Sequence, residues 1–168
     1  MKELIFPIEF KDIEFTKELE HFFYKAAKYA KFDKTYEITP ANVVYTILSD
    51  EKTNIITSTL EAMKVDINIL YEMLKDQRTL GYEKKEHTTE IVFSKELKDI
   101  IITSNKKIKQ LKKQYNIVDL FLALLKLKNS LTIIFNENAL EYFVFKQTFE
   151  EVSEFYDTMN PQEDQDME

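Results

Sequence analysis

The sequence predicts an all-α fold of about eight helices, built from two related halves that pack as one domain. The first observation is composition: one glycine and three prolines in 168 residues are far below the usual shares of about 7% and 5%. The second is spacing, because apolar residues recur at three- and four-residue steps along most of the chain. The third is an internal repeat: Ile13–Leu19 returns as Ile91–Leu97 with five of seven residues identical.

Charge and cysteine content exclude several classes of function. A formal net charge of -7 opposes binding to nucleic acid, since phosphate neutralisation needs a basic face. The absence of cysteine excludes disulfides, thiolate zinc sites and cysteine nucleophiles, and it fits a reducing cytoplasm. No apolar run approaches the roughly 18 residues that span a bilayer, so we expect neither an export signal nor a membrane anchor.

The first half begins with an arm and continues with four helical patterns. Residues 1–12 are apolar around Pro7, and we expect an extended arm that lies on the domain, with a short strand as the alternative. Residues 13–76 form repeat 1. Thr16 is a hydroxyl N-cap for a helix of about 16 residues. The apolar stripe of that helix comprises Leu19, Phe22, Phe23, Ala26, Ala27 and Ala30.

Later caps divide the rest of repeat 1 and organise the second half. Thr39 and Pro40 predict the start of a second helix, and Asp66 is a possible cap for the fourth. The predicted linker at 77–90 contains the only glycine and a charged run. In repeat 2, residues 91–157, Ser94 and Asn116 cap the first two helices. Five lysines are predicted to form a solvated face: Lys106, Lys107, Lys109, Lys112 and Lys113.

The acidic segment 158–168 is predicted to be a flexible tail. It contains Pro161 and is typical of the start of an interdomain linker, which favours a piece of a larger protein.

Three segments carry a family resemblance. Pro40–Leu48 and Ile117–Leu125 look like an aliphatic second helix of the type Thr-Glu-His-Leu-Leu-Leu-Ala-Leu-Leu, each following a first helix opened by Phe-Thr or Phe-Ser. Leu60–Asp66 is similar to the family's leucine-to-Gly-Val-Asp stretch, with Lys64 in place of glycine. Over residues 13 to about 152, the sequence resembles the N-terminal domain of Clp-family AAA+ unfoldase ATPases. The resemblance implies two four-helix Clp repeats related by pseudo-twofold symmetry.

The same resemblance implies a function and its partners. The domain would be a non-catalytic docking module for adaptor proteins or unfolded protein substrates, serving a Clp-type ATP-dependent unfoldase in protein quality control or proteolysis. AAA+ ATPase modules would act in cis or in trans. Two alternatives stay open: a free-standing Clp-repeat scaffold or regulator, for example in a secretion-system unfoldase assembly, and a helical protein with a small ligand in an apolar pocket.

Two departures from the family pattern limit what carries over. Some family members recognise phosphorylated arginine through the glutamate of Thr-Glu-His, but Ala41 and Val118 stand at those positions. Neither side chain can pair with a guanidinium, so we predict no phosphoarginine binding there. Asn42 and Asp119 replace the family's histidine, and we interpret them as polar residues of the helix start.

No catalytic, cofactor or metal site is predicted. A single glycine cannot form a Walker phosphate loop, and no serine has the flanking glycines of a nucleophile elbow. His21 and His87 do not form a His-Glu-x-x-His pattern. The sequence therefore indicates a protein that binds rather than one that catalyses.

Two loop corners are candidates for a partner surface. Tyr36 and Glu37 precede the second helix of repeat 1, and Tyr115 and Asn116 take the related place in repeat 2. Tyrosines are enriched in protein interfaces, which motivates the hypothesis. The alternative is that each tyrosine only seals its loop.

Overall fold

The computed structural model describes residues 4–81, 83–85 and 88–159. These residues form eight α-helices, four in each half, which confirms the predicted all-α class. Residues 82, 86 and 87 of the predicted linker and 160–168 of the predicted tail lie outside the described residues. The helices are α1 Lys17–Phe32, α2 Pro40–Leu48, α3 Ile55–Ala62, α4 Ile67–Gln77, α5 Lys95–Gln110, α6 Ile117–Lys126, α7 Thr132–Glu137 and α8 Tyr142–Met159.

A small parallel sheet accompanies the helices. Its strands are β1 Leu4–Ile5, β2 Glu37–Ile38 and β3 Ile91–Phe93, in the order β1-β3-β2. β1 is the short strand that was the alternative for the arm. Ile8–Phe10 form a 3₁₀ turn, so the arm is extended only in part.

The pairing of these segments is crossed between the two repeats. β3, which precedes α5, pairs with β2, which precedes α2. Phe15, just before α1, forms a parallel bridge with Tyr115, just before α6. The entry to the first helix of each repeat is therefore hydrogen-bonded to the entry to the second helix of the other. This exchange is what a pseudo-twofold axis generates, and it joins the repeats into one domain.

Helices start at the predicted caps. The Thr16 hydroxyl accepts a hydrogen bond from the backbone N–H of Leu19 at 3.2 Å. In the second half the Ser94 hydroxyl accepts from Leu97 at 3.1 Å. Each cap satisfies an amide that has no partner inside its helix. The same bond to the residue three positions on is made by Thr39, Asp66 and Asn116.

A further polar motif recurs before the third helix of each repeat. The Asn54 side-chain amide donates to the Ile47 carbonyl at 3.1 Å, and the Asn129 amide donates to the Leu124 carbonyl at 2.7 Å. The backbone N–H of each asparagine donates to the hydroxyl of the threonine three residues later, at 3.1 and 2.9 Å. Both asparagines thus tie the end of the second helix to the start of the third.

The third helix of each repeat ends at a residue with positive φ. Lys64 has a φ of 62° and Ala139 a φ of 54°. In both places the following N–H donates to the carbonyl five residues earlier, at 3.0 and 2.9 Å, which is a Schellman-type helix end. This geometry explains the glycine that the family pattern has at the place of Lys64, because glycine adopts positive φ without a steric penalty.

The fourth helices break the symmetry. In repeat 1, α4 packs on α2 of the same repeat. In repeat 2, α8 packs on α6 but also extensively on α3 of the other repeat. α8 continues to Met159, so the first two residues of the predicted tail are helical. Because α8 packs on α3 as well as on α6, part of the surface between α5 and α6 stays uncovered.

Candidate docking groove

An apolar groove lies between the second half of α5, α6 and the first turns of α8, with a volume of about 330 Å³. Leu111, at the end of α5, is 59% exposed, and Ile108 lies buried one turn before it. Leu122 and Leu127, which are half-buried, continue the floor along α6. Exposed apolar surface that is concave and contiguous is typical of binding sites rather than of ordinary protein surface.

Four lysines surround this floor: Lys107, Lys113, Lys126 and Lys146. Lys113 forms an ion pair with Asp119, which is also the capping-box residue of α6. The Lys126 ammonium lies 5.5 Å from the centre of the Tyr142 ring, within cation–π range. Among the residues that the structure describes, Asp119 is the only carboxylate that lines the groove, so the local charge of the groove is opposite in sign to that of the chain.

Part of the corresponding region of repeat 1 is filled by the protein itself. Arg78, the only arginine of the sequence, forms a two-pronged ion pair with Asp33. The Arg78 Nε lies 2.7 Å from Asp33 Oδ2, and Nη2 donates to Oδ1 at 3.2 Å. The two side chains are only 12% and 6% exposed. A guanidinium and a carboxylate match in this arrangement, and it fixes the side chain in one position.

Tyrosine rings enclose that guanidinium. Its central carbon lies 4.3 Å from the centre of the Tyr45 ring and 5.2 Å from that of Tyr29. Tyr45 stacks on Tyr71 at 4.9 Å, and their hydroxyls lie 2.9 Å apart. This hydrogen bond, with burial as a second cause, raises the pKa of Tyr71 to about 12. We refer to Asp33, Arg78 and the three tyrosines as the arginine plug.

Four of the five plug residues correspond in helix position to residues of the groove. Asp33 and Leu111 are the C-caps of α1 and α5. Counted from their helix starts, three further pairs occupy equal positions: Tyr29 and Lys107, Tyr45 and Leu122, Tyr71 and Lys146. Ser153 has the helix position of Arg78, but it does not line the groove. The plug therefore fills the part of the site that Lys107, Leu111, Leu122 and Lys146 line in repeat 2.

Part of the same site stays open in repeat 1 as a concavity, because Lys25, Thr46, Ser49 and Asp50 have the positions of Thr103, Ala123, Lys126 and Leu127 of the groove. It is lined by charged residues of both signs, among them Glu18, Lys25, Lys28 and Asp50. Lys25 and Asp50 form an ion pair at 3.4 Å. Burial, with the nearby Asp50 carboxylate as a second cause, raises the pKa of Glu18. This surface lacks the apolar floor of the repeat 2 groove.

Tyr115, a predicted contact residue, is only 1% exposed. Its hydroxyl lies 2.6 Å from the Ser104 hydroxyl, and its ring packs edge-on against Phe15. Burial raises the pKa of the Tyr115 phenol above its ordinary value. The side chain therefore seals the junction between repeats, as the alternative interpretation holds, and it does not reach solvent.

The other three predicted contact residues are half-buried at the same type of junction. The Tyr36 carbonyl accepts a hydrogen bond from Val92, Glu37 lies in β2, and Asn116 caps α6. Tyr36 and Tyr115 are not equivalent, because the caps of α2 and α6 place Tyr115 opposite the buried Ile38 of repeat 1. A partner contact through Tyr36, Glu37 or Asn116 stays a prediction.

The departures from the family pattern have a structural counterpart at the starts of α2 and α6. Ala41 and Val118 are both buried apolar side chains. The Asn42 amide donates to the Glu37 carbonyl at 3.4 Å, and Asp119 closes the capping box of α6. Both residues act as polar anchors of a helix start.

Within the described ranges, no group of three or more His, Asp or Glu side chains is arranged to hold a metal ion. None of the helices in those ranges combines the length and apolar character needed to cross a membrane.

Comparison with known proteins identifies a sequence family. The model of the Clp repeat (R) N-terminal domain matches residues 14–138. No curated protein sequence matches the chain significantly.

Several solved structures share the fold. The Hsp104 N-terminal domain from Candida albicans superposes with a TM-score of 0.69 at 18% identity, over 83% of this chain and 91% of that one. A protein from structural investigations of a malarial protein secretion system gives 0.66 at 16% identity, over 88% and 99%. The N-domain of ClpV from Vibrio cholerae gives 0.63 at 15%, over 82% and 86%. At these identities the likeness extends to the fold alone.

Proposed function

The chain belongs to the Clp repeat N-terminal domain family, and on that premise we propose that it docks adaptor proteins or unfolded protein substrates for a Clp-type ATP-dependent unfoldase. The observation that carries the proposal is the open apolar groove of repeat 2, with Leu111 more than half exposed beside Leu122. Fully burying an exposed leucine side chain contributes about 1.5–3 kcal/mol. Leu111 and Leu122 are already partly buried, so together they contribute roughly the equivalent of one such side chain, which suits a transient protein interaction.

The module is non-catalytic in this proposal. AAA+ ATPase modules, in cis or in trans, would supply the ATP-driven work, and the groove would deliver the bound chain to them. The cysteine-free sequence supports a cytoplasmic setting.

A second candidate is a scaffold in a secretion-system unfoldase assembly. The structural likeness to a protein from a malarial secretion system favours it, at the level of the fold. An immunoblot of source cells with an antibody against this domain separates the readings. A band several-fold larger than 20.0 kDa supports an unfoldase that carries its own ATPase modules, whereas a band of that size supports a free-standing scaffold.

Site-specific photo-cross-linking tests the docking role. The photoreactive residue p-benzoylphenylalanine replaces Leu111 in the groove or, as a matched control, Phe32 at the end of α1, which is 82% exposed. The probe is reduced, carboxymethylated α-lactalbumin, an unfolded acidic protein. We expect cross-links from position 111 and few from position 32. Equal yields at the two positions, or none, would remove the groove from the proposal.

A further inference from the structure

We propose that the repeat 2 groove selects acidic amphipathic segments, in which apolar side chains alternate with carboxylates. This inference rests on the docking function proposed above and adds the chemistry of the partner. Four lysines and one aspartate are the charged residues that line the groove, although the whole chain carries a net charge of -7.

Three of these lysines are available to a partner. Lys107 and Lys126 are exposed, and Lys146 is half-buried. Among the described residues none of the three forms an ion pair, whereas Lys113 is paired with Asp119. The three ammonium groups are therefore the natural partners of incoming carboxylates.

The groove keeps this local attraction despite the acidic chain around it. Salt screens charges beyond about 8 Å at physiological ionic strength, so a bound peptide responds mainly to the lysines beside it. Repulsion by distant carboxylates then has little effect on affinity. The lysines at the rim attract the carboxylates of the ligand, while the apolar floor buries its leucine or phenylalanine side chains.

Comparison with repeat 1 supports the assignment. Tyr29 and Tyr71 of the arginine plug occupy the helix positions of Lys107 and Lys146. In repeat 1, the Tyr29 ring lies beside the internal Arg78 cation, and Tyr71 stacks on Tyr45, whose ring also faces that cation. In repeat 2 the same positions hold lysines beside an open apolar floor. The repeat 2 site therefore suits a negatively charged ligand, whereas the repeat 1 site holds a positive charge.

Fluorescence anisotropy with the full chain tests the inference. Three labelled twelve-residue peptides share the same leucine and phenylalanine positions and carry Glu, Gln or Lys at all the others. We expect affinity to fall in the order Glu, Gln, Lys. Replacing the three available lysines by glutamine (Lys107→Gln, Lys126→Gln, Lys146→Gln) removes up to three exposed ion pairs, and affinity for the Glu peptide should drop about tenfold.

A matched variant removes the same charge elsewhere. Lys17→Gln, Lys28→Gln and Lys52→Gln change three exposed lysines of repeat 1, and this variant should bind the Glu peptide as the unmodified chain does. Leu111→Ser should weaken the Glu and Gln peptides equally, because it removes floor without removing charge. Thermal unfolding verifies that all variants are folded.

Each contrary outcome has a distinct meaning. Equal binding of Glu and Gln peptides, both sensitive to Leu111→Ser, would overturn acid selection and leave docking intact. No binding of any peptide would overturn both. A dimer that forms without peptide and is lost in the groove variant would identify a second copy as the occupant. A rise in affinity after neutralising Glu163, Asp164, Asp166 and Glu168 would identify the chain's own acidic segment, and either result would overturn the proposal of a partner protein.

Discussion

Repeat 1 and repeat 2 have the same helix starts and ends, but the side chains at one equivalent site differ between them. The asparagine motif of Asn54 and Asn129 and the positive-φ ends at Lys64 and Ala139 occur in both. Between the first, second and fourth helices, however, repeat 1 holds the arginine plug and repeat 2 holds an open groove. The two repeats share one framework, and they differ at a few positions that face this site.

Whether this site is filled or open depends on the path of the fourth helix as much as on the side chains that face it. α4 lies on α2, and the chain just beyond α4 carries Arg78 to Asp33. α8 packs on α3 of the other repeat as well as on α6, and its first turns line the groove.

The largest predicted effect comes from removing the plug. Arg78→Ala leaves Asp33 buried without its partner, which should cost about 3–5 kcal/mol of unfolding free energy. Urea unfolding followed by far-UV circular dichroism measures it. The matched control, Ser153→Ala at the equivalent position of repeat 2, should change stability by less than about 0.5 kcal/mol.

A double variant sharpens the same point. Asp33→Leu with Arg78→Met makes the pair apolar, as Leu111 is in repeat 2, and should regain most of the lost stability. If Arg78→Ala alone cost less than about 1 kcal/mol, the plug would not be the element that closes repeat 1.

The next effect tests the part that the repeats share. Asn54→Ala and Asn129→Ala each remove a side-chain bond to the end of a second helix, and each should cost about 1–3 kcal/mol. Similar values from urea unfolding would show that the motif has the same weight in both halves. A cost confined to one variant would mean that the two equivalent hydrogen bonds contribute unequally to the stability of the domain.

A smaller effect of opposite sign is expected at the helix ends. Lys64→Gly should stabilise the domain by about 0.5–1 kcal/mol, because lysine pays for positive φ and glycine does not. Ala139→Gly should act in the same direction. The control Ala62→Gly, at the last residue of α3, should instead destabilise by up to about 1 kcal/mol, because this position has ordinary helical φ. Loss of stability in Lys64→Gly would contradict the assigned backbone geometry.

The smallest predicted effect is a change in how unfolding free energy varies with alkaline pH. Because the folded pKa of Tyr71 is about 12 and the unfolded value is near 10, folding favours its neutral form. The associated stability is complete below pH 10 and is lost as pH rises towards 12. Tyr71→Phe should therefore flatten the decline of unfolding free energy between pH 10 and 12. An unchanged slope would mean that the phenol titrates normally.

Local sequence patterns predicted most of the framework, but they predicted neither the arginine plug nor the groove. Caps such as Thr16 and Asn116 and the apolar stripes are short-range signals, and the structure confirms them. Arg78 lies in a segment predicted as a solvated linker, because its partner Asp33 is distant in sequence and no periodicity links the two.

The groove was missed for a related reason. It depends on the path of α8 across α3, which tertiary packing decides. A signal was nevertheless present: aligning the repeats position by position places Leu122 against Tyr45 and Lys146 against Tyr71. Attention to the loop tyrosines instead led to Tyr115, which is buried at the junction.

The central claim is that repeat 2 is the docking half, and amide chemical-shift mapping tests it most directly. The ¹⁵N-labelled chain is titrated with the Glu peptide, and shifts are followed residue by residue. The account predicts changes concentrated between Thr103 and Leu127 and at the start of α8, with α1 and α2 unaffected. Changes centred on α1 and α2, or spread equally over both repeats, would contradict it.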